Sequence, residues 1–332
     1  MSVRKKTEKT EHLVLSERAS FADQSIGRAR PEPECDIRTC FQRDRDRIIH
    51  STAFRRLKHK TQVFLAPEFD HYRTRLTHTL EVSQIARTIS VGLSLNEDLT
   101  EAIALGHDLG HTPFGHAGER ALDAVFPGGF RHYEHSVRVC EVLEKDGLGL
   151  NLTAEVLNGI KCHTRGEEAF TLEGQVVRLA DRIAYINHDI DDSIRAGILT
   201  ENDIPAELKT TLGGSKSERI NTLVLSCVEN SEERIALSRE HEQALESLHD
   251  FMFERVYTNP YCKGEEKKAD VLLKQLYYHF CEHSESLPNS YLETALREGA
   301  DRAVCDYIAG MTDNYAVHCF NEIFVPQPWS LE

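Results

Sequence analysis

No apolar run in this chain of 332 residues is long enough to span a membrane. The N-terminal stretch MSVRKKTEKTEHLVLSE is basic and holds no apolar segment, so a secretory signal is not expected. The nine cysteines are scattered and include no CxxC pair, a pattern that favours reduced thiols over a disulfide framework. These absences predict a cytoplasmic protein without a membrane partner.

The sequence also lacks the alternation of apolar and polar residues that marks a half-buried strand. Helical periods are present instead. They run over about 40–60 and 72–93, begin again at Asn96, and continue beyond the short connection LGGSKS at 212–217. The predicted fold class is therefore all-α. Only 1–33, where charge is mixed with serine, alanine and proline, is expected to be extended or mobile.

The net charge of −15 is unevenly distributed. Residues 1–60 carry a balance of +6, which leaves −21 on the remainder. A chain this acidic is a poor general binder of nucleic acid. The basic part has two interpretations, a solvated surface or a local contact with phosphates, and for residues 1–20 we favour the first.

One stretch concentrates titratable groups. It spans His107 to Glu119 and reads HDLGHTPFGHAGE, with three histidines and two carboxylates. Gly110, Pro113 and Gly115 interrupt it, so it is expected to join two helices rather than to form one. Irregular backbone between rigid helices is a common place for reactive side chains, and a ligand or metal would offset the cost of desolvating so many polar groups.

Three His-Asp dipeptides occur, at 107–108, 188–189 and 249–250. A chain with this many histidines and aspartates contains about one by chance, so the dipeptide alone is a weak signal. Only the first leads into the polar stretch. The third lies in LESLHDFMF without such a cluster and is interpreted as a pair on a helix surface.

Two residues outside the polar stretch complete a candidate metal site. His78 lies within RTRLTHTLEV and Asp181 within RLADRIAY, and each is set in an apolar helix where an unpaired polar group is costly. Together with His107 and Asp108 they supply two imidazoles and two carboxylates, which suits one divalent ion of Mg, Mn, Fe, Ni or Zn. The alternative for each residue alone is a buried polar group satisfied by hydrogen bonds, but this explains the set of four poorly.

Arg75 precedes His78 by three residues, so the two lie on one face of a helix. This position suits an arginine that holds a phosphate beside the metal. The alternative is a surface ion pair with Asp70 or Glu81.

Two further spacings are suggestive. Asp181, Tyr185 and Asp189 are spaced i, i+4 and i+8, so they can line one groove, although Tyr185 can equally pack in the core. His116 and Glu119, three residues apart near a helix start, are typical of an acid–base unit. Their alternative is an N-terminal cap with an exposed histidine.

The four candidate metal ligands match the H…HD…D pattern of the HD-domain metal phosphohydrolases. Longer stretches closely resemble the bacterial deoxyguanosine-triphosphate triphosphohydrolase-like proteins: 41–64, 70–88, 107–122 and 179–192. The resemblance extends more loosely through RAVCDYIAGMTDNYA at 302–316. No role follows from the sequence for Asp306, Tyr307 and Asp313 within that last stretch.

The resemblance implies a helical HD-domain fold with a helical C-terminal extension. It predicts a basic, mobile segment at 1–35, a metal-phosphohydrolase core at 36–200, and a helical region at 201–332 that packs on the core and at subunit interfaces. Relatives assemble as tetramers or hexamers, and some are activated by nucleotides. A homo-oligomer with a deoxynucleotide or single-stranded DNA effector is therefore expected on resemblance only.

The resemblance also assigns catalytic roles. It implies that the four metal ligands bind one divalent ion and that His116 and Glu119 form the catalytic pair. His111 and His135 match further active-site histidines near the phosphates. Arg75 matches an arginine that contacts a phosphate.

The sugar-side residues follow in the same way. Gln62, with Val63, matches residues that read the 3′-hydroxyl and leave no room for a 2′-hydroxyl, and Tyr185 and Asp189 match other sugar contacts. The implied activity is metal-dependent hydrolysis of deoxynucleoside triphosphates, either dGTP or several of them, to deoxynucleoside and inorganic triphosphate. Two alternatives stay open. One is another HD phosphohydrolase, acting on a nucleoside monophosphate, a cyclic nucleotide or guanosine tetraphosphate. The other is a nucleotide-sensing or nucleic-acid-binding regulator.

Overall fold

The computed structural model describes residues 1–62, 73–164 and 166–326, so Val63 lies outside the described chain. Within these ranges the chain consists of helices joined by turns and loops and contains no strand, only isolated two-residue bridges. The predicted all-α class is confirmed. None of the described helices combines the length and the hydropathy needed to cross a bilayer.

The first part of the chain, up to residue 195, contains the helices that carry most of the candidate site. Their bounds are α1 Val3–Val14, α2 Cys40–Ile49, α3 Thr52–Arg56, α4 Arg75–Gly92, α5 Glu97–Gly106, α6 Gly115–Val125, α7 His132–Arg138, α8 Glu144–Gly147, α9 Ala154–Lys161 and α10 Leu172–Arg195. Short 3-10 turns occur at Ala22–Gln24 and Leu57–His59.

The second part is also helical. Its helices are α11 Ala206–Leu212, α12 Lys216–Asn230, α13 Arg239–Met252, α14 Pro260–Glu282, α15 Asn289–Glu298, α16 Ala300–Ala309 and α17 Asp313–Phe324. A π-helical turn, Phe253–Tyr257, follows α13, and 3-10 turns occur at Glu201–Asp203 and Ser284–Ser286. The connection predicted at 212–217 is confirmed, because α11 ends and α12 begins within it.

Two predicted helices are interrupted. The helix expected over 40–60 stops after α2, because the Ser51 hydroxyl accepts the Phe54 N–H and starts α3. The helical period that resumes at Asn96 is also broken further along, where α7 passes into the π-helical stretch Val139–Leu143.

Two apolar clusters stabilise the molecule. The larger contains Ile85 of α4, Ile103 of α5 and Ile183 of α10, and the smaller contains Leu122 of α6 and Leu273 of α14. The polar stretch between α5 and α6 therefore passes from one cluster to the other. Side chains from both clusters can meet at this junction.

The N-terminal segment differs from the prediction. Residues 1–33 were expected to be extended or mobile, but they include the helix α1 and are attached to the core. Buried Glu11 accepts the Ala22 N–H at 2.8 Å, and Glu173 of α10 accepts the Ser20 N–H at 2.9 Å. These attachments are polar and join distant parts of the sequence, so apolar periodicity gives no sign of them.

Arginines in and after this segment are paired with carboxylates. Arg28 forms an ion pair with buried Asp44, and Arg43 and Arg47 approach Glu32 at 3.1 Å and 2.7 Å. Much of the positive charge near the N-terminus is thus neutralised within the fold. A phosphate-binding surface there has less support than the sequence alone suggested.

Candidate active site

The polar stretch lies between two helices, as predicted, because α5 ends at Gly106 and α6 begins at Gly115. Ser136 of α7 fixes its backbone. The Ser136 hydroxyl accepts the Gly110 N–H at 2.9 Å and donates to the His107 carbonyl at 2.7 Å. A Cβ on Gly110 would lie 2.1 Å from the backbone nitrogen of Ser136, so only glycine fits this close approach.

The C-terminal helices hold the same loop. Asp313 accepts the Phe114 N–H at 2.9 Å, which gives this aspartate a role that the sequence did not reveal. The ammonium group of Lys60, which is buried, donates to the His111 carbonyl and, at 2.8 Å, to the Ala309 carbonyl. The loop is therefore fixed from both parts of the chain.

The four predicted metal ligands converge. His78 Nε2 lies 3.0 Å from Asp181 Oδ1 and 4.0 Å from Asp108 Oδ2. His107 Nε2 lies 3.6 Å from Asp108 Oδ1 and 3.8 Å from Asp181 Oδ1. Donor atoms bonded at about 2.1 Å to one ion stand about 3 to 4 Å apart. The spacing of these four side chains suits a single divalent ion.

The hydrogen bonds of the His107 ring show whether these four side chains fit a metal. The ring is fully buried, and its Nδ1 lies 2.6 Å from the Ala104 carbonyl, to which it must donate. Nε2 of the neutral ring therefore carries a lone pair, and it has no hydrogen-bond partner among the described residues. A buried lone pair is costly unless it binds a proton donor or a cation, so the residues present fit a metal.

The two carboxylates of this set are ionised. Burial alone would raise the pKa of Asp181, but the hydrogen bond from His78 and the nearby His107 ring lower it. For Asp108 the opposing effect of burial is outweighed by the nearby His107 ring and the Arg75 guanidinium group, which hold its pKa well below the usual range. Two negative charges here complement a divalent cation.

Arg75 is buried rather than on the surface. Its Nη1 donates to Asp108 Oδ2 at 2.8 Å. The alternative of a surface ion pair between Arg75 and Glu81 is therefore wrong. The other predicted partner, Asp70, lies outside the described residues. The Nε of Arg75 has no hydrogen-bond partner within the described ranges. The guanidinium group therefore retains a donor for an anion.

These groups border a cavity of about 730 Å³. The predicted site residues that line it are Gln62, Arg75, His78, Asp108, His111, His116, Asp181 and Tyr185. His107 and Glu119 contact these lining side chains without lining the cavity themselves. His135 and Asp189 are not brought to its surface.

The predicted catalytic pair has a third member. His116 is 53% exposed, and its Nδ1 lies 3.3 Å from Glu119 Oε2. His132 binds Glu119 more closely, with its Nδ1 3.0 Å from each carboxylate oxygen. Burial opposes ionisation of Glu119, but hydrogen bonds from His116 and His132 lower its pKa far below the usual range. The acid–base unit is thus two histidines that share one carboxylate.

His132, which the sequence analysis did not select, lines the cavity, whereas His135 does not. The His132 ring stacks on that of His111 at 4.3 Å. His135 lies one turn further along α7, where its Nδ1 is 3.0 Å from the Gly110 carbonyl and its Nε2 is 3.4 Å from Asp306 Oδ1. The sequence contains both histidines in FRHYEHS, and only the direction of the helix distinguishes them.

His163 is another histidine that the sequence analysis missed. It lines the cavity, and its Nε2 lies 3.3 Å from His132 Nε2. Burial, with the nearby rings of His107 and His132, lowers the pKa of His163 to about 3. It follows α9 in the stretch KCHTRG, which carries no recognisable spacing.

The far side of the cavity is built around Tyr185. This ring stacks on Tyr257 at 5.8 Å, and the Tyr257 hydroxyl donates to buried Asp189. Burial raises the pKa of Asp189 to about 7. Tyr257 was not predicted, because it lies far along the chain from every motif that the sequence analysis used.

Comparisons with known proteins agree with this geometry. The model of the HD domain matches residues 75–186, and the model of the phosphohydrolase-associated domain matches residues 235–322. A relative from Caldanaerobacter subterraneus subsp. tengcongensis, named deoxyguanosinetriphosphate triphosphohydrolase-like protein, is 56% identical over 99% of this chain and 98% of its own length. This chain belongs to the deoxyguanosinetriphosphate triphosphohydrolase-like family.

Further members of this family match as completely. The protein of the same name from Clostridium perfringens strain 13 is 53% identical over 98% of this chain and 99% of its own length.

A crystal structure of a phosphohydrolase from Bacteroides thetaiotaomicron superposes with a TM-score of 0.55 at 18% identity, covering 85% of this chain and 68% of that one. This last likeness shows the fold. The family resemblance inferred from the sequence is confirmed, and the chain is an HD phosphohydrolase.

Proposed function

We propose that this HD phosphohydrolase hydrolyses deoxynucleoside triphosphates, dGTP or several of them, to the deoxynucleoside and inorganic triphosphate. The observation that supports this most is the convergence of the four metal-ligand candidates beside a cavity of about 730 Å³, which three of them line. The remaining lining groups suit phosphates and a sugar. The name of the curated relatives points to the same substrate class.

A divalent metal would be held by His78, His107, Asp108 and Asp181. Mixed imidazole and carboxylate donors accept Mg, Mn, Fe, Ni or Zn, so the identity of the ion is a matter for experiment. When bound, the ion would offset negative charge on the phosphate oxygens.

Arg75 would bind a phosphate beside these ligands. Its bond to Asp108 fixes the guanidinium group, and the unpartnered Nε supports a role in anion binding. His111 lines the same part of the cavity and is stacked on His132, so both rings are positioned to contact phosphate oxygens. His135 stays a prediction of the resemblance only.

The reaction needs a proton donor. Water attacks the α-phosphorus in line, the bond from phosphorus to the sugar 5′-oxygen breaks, and that oxygen leaves with a proton. His116 is the proposed donor, because it is exposed to the cavity and Glu119 orients its ring. His132, which shares this carboxylate, is the second candidate.

The sugar would lie against Tyr185. Gln62 is 8% exposed and its side-chain oxygen has no hydrogen-bond partner among the described residues, so it is available to a sugar hydroxyl. Asp189 would act through Tyr257 and Tyr185 rather than by direct contact. The companion role predicted for Val63 falls outside the described chain.

The test is a product assay. The metal-stripped protein is incubated with each deoxynucleoside triphosphate, alone and in mixtures, with Mg²⁺ or Mn²⁺ added back, and the products are separated by ion-exchange chromatography. We expect deoxynucleoside and intact triphosphate only when metal is present. Release of phosphate or pyrophosphate, or turnover of a monophosphate, cyclic nucleotide or guanosine tetraphosphate instead, would contradict the proposal.

Assembly, regulation and location are separate predictions. We expect a homo-oligomer, tetramer or hexamer, in the cytoplasm, with a deoxynucleotide or single-stranded DNA as a candidate effector. Light scattering measures the subunit number. Turnover that occurs only in nucleotide mixtures, or that rises when single-stranded DNA is added, would identify the effector.

A further inference from the structure

The second His-Asp dipeptide of the chain contains a histidine that the proposed mechanism does not use. His188 of α10 is 1% exposed and lies on the side of His78 that faces away from the other metal-ligand candidates. His188 Nδ1 is 3.4 Å from His78 Nδ1, and the two rings meet edge to face with centroids 5.6 Å apart. On its other side, His188 Nε2 is 3.2 Å from Glu81 Oε2.

The positions of the protons follow from these contacts. His78 directs its Nε2 at Asp181 and Asp108, so this nitrogen must carry the lone pair if it is to bind a cation. The ring proton of His78 then resides on Nδ1 and requires an acceptor. His188 Nδ1 supplies one, which leaves the proton of His188 on Nε2, the nitrogen that lies near Glu81.

The carboxylate of Glu81, the last group in this series of contacts, is itself held in place. Glu81 is on α4, three residues after His78, and it accepts the Arg73 Nε–H at 2.9 Å. The ammonium group of Lys216 on α12 is 3.4 Å from its other oxygen. Glu81 therefore has partners that hold its carboxylate in place beside His188.

We propose that His188, together with Glu81, is a positioning residue for the metal: it fixes His78 in the tautomer and orientation that present Nε2 to the ion. This inference rests on the metal site proposed above. Partners of this kind, which bond the non-ligating nitrogen of a ligating histidine, typically change metal affinity by about 10 to 100-fold when removed.

Two substitutions separate positioning from packing. Asparagine places its side-chain oxygen at the same point along the side chain as Nδ1 of histidine, so His188→Asn keeps an acceptor for His78 but loses the link to Glu81. His188→Leu removes the acceptor and fills the space with carbon. Titration calorimetry of the metal-stripped full-length proteins with Mn²⁺ measures both.

We expect His188→Leu to weaken Mn²⁺ binding by about 10 to 100-fold and His188→Asn by no more than about threefold. Wild-type affinity in the leucine variant would overturn the inference, and so would an equal loss in both variants. If the wild-type protein itself binds no Mn²⁺, the metal-site proposal fails as well, so the two failures are distinguishable.

A measurement on the unsubstituted protein guards against a leucine variant that does not fold. Long-range proton–nitrogen correlation spectra of histidine-labelled protein report which ring nitrogen carries the proton. We expect His78 protonated on Nδ1 and His188 on Nε2 when Mg²⁺ is bound, with His188→Asn used to assign the His188 signals. A His188 ring protonated on Nδ1 in the Mg²⁺-bound protein would contradict the inference, because that nitrogen could then not accept the His78 proton.

Discussion

Helix α10 carries two aspartates in opposite electrostatic environments, half-buried Asp181 and buried Asp189. Asp181 lies beside His78 and His107, and these neighbours lower its pKa although desolvation opposes them. Asp189 is two turns further along the same helix, where it accepts a hydrogen bond from Tyr257 and burial raises its pKa to about 7. On one helix, Asp181 is thus an anion, whereas Asp189 keeps its proton up to a pH of about 7.

This difference divides the candidate site into two regions. Around Asp181 the neighbours are cationic or able to become so, and the carboxylate attracts a metal. Around Asp189 they are phenols, which donate single hydrogen bonds without charge. When the surroundings lower the pKa of one carboxyl group and raise that of another, the two groups can have different functions. The Asp181 region suits a metal and phosphates, and the Asp189 region suits an uncharged sugar.

The largest expected effect comes from neutralising the anion in the metal region. Asp181→Asn should weaken Mn²⁺ binding by about 100-fold or more and lower turnover by at least about 1,000-fold. Asp189→Asn is a matched control, the same substitution on the same helix, and it should leave Mn²⁺ affinity unchanged. Titration calorimetry and the product assay measure both. Equal losses of metal affinity in the two variants would remove the distinction between the regions.

A substitution in the acid–base unit should lower turnover without changing metal binding. His116→Ala is expected to lower turnover by about 100 to 10,000-fold, because the leaving oxygen loses its proton donor. The rise in thermal unfolding temperature on adding Mn²⁺ should remain as in the wild-type protein. Near-normal turnover would exclude His116 from the reaction, and His132→Ala would then be the variant to measure.

A smaller effect is expected at Tyr257. Tyr257→Phe removes the hydrogen bond to Asp189 and loosens the support of Tyr185. We expect KM for the deoxynucleotide to rise by about 3 to 10-fold, since one hydrogen bond is worth about 1 kcal/mol. Mn²⁺ affinity should not change. If the variant lost Mn²⁺ affinity but kept the wild-type KM, Tyr257 would act in the Asp181 region, and this prediction would be wrong.

The smallest effect concerns pH. Because the pKa of Asp189 is raised from 3.8 to about 7, the native state keeps a proton that the unfolded chain has released, and the free energy of unfolding should fall as pH rises through this interval. Asp189→Asn removes the titration. In the metal-free protein it should therefore be stabilising by about 1–3 kcal/mol at pH near 8, with little effect near pH 4. Urea unfolding of both proteins across this range measures it, and parallel curves would contradict the raised pKa.

The sequence was sufficient for the features that depend on local pattern. The break of the helix at HDLGHTPFGHAGE follows from its glycines and proline, and the structure confirms it, because turn residues act over a few positions. The metal-ligand candidates were selected as histidines and aspartates in apolar helices; their side chains lie close together, and metal binding by them stays a prediction.

What the sequence could not indicate depends on contacts between distant parts of the chain. Tyr257 reaches Asp189 across 68 positions, and Glu173 holds the N-terminal segment across 153. His132 and His135 are equally plausible in the sequence, and only the orientation of α7 places His132 in the cavity. The burial of Arg75 is another non-local result, because its partner Asp108 lies on a different element.

The buried ammonium group of Lys60 has a consequence for how this protein can be divided. It ties the His111 carbonyl to the Ala309 carbonyl, and Asp313 binds the Phe114 N–H of the same loop. A fragment ending near residue 200 would keep the metal-ligand candidates yet leave Lys60 with one partner fewer and the Phe114 amide without its acceptor. The C-terminal third is therefore the scaffold that holds the reactive loop in shape, and a minimal enzyme made from the motif-bearing part alone would be expected to bind metal loosely and turn over poorly.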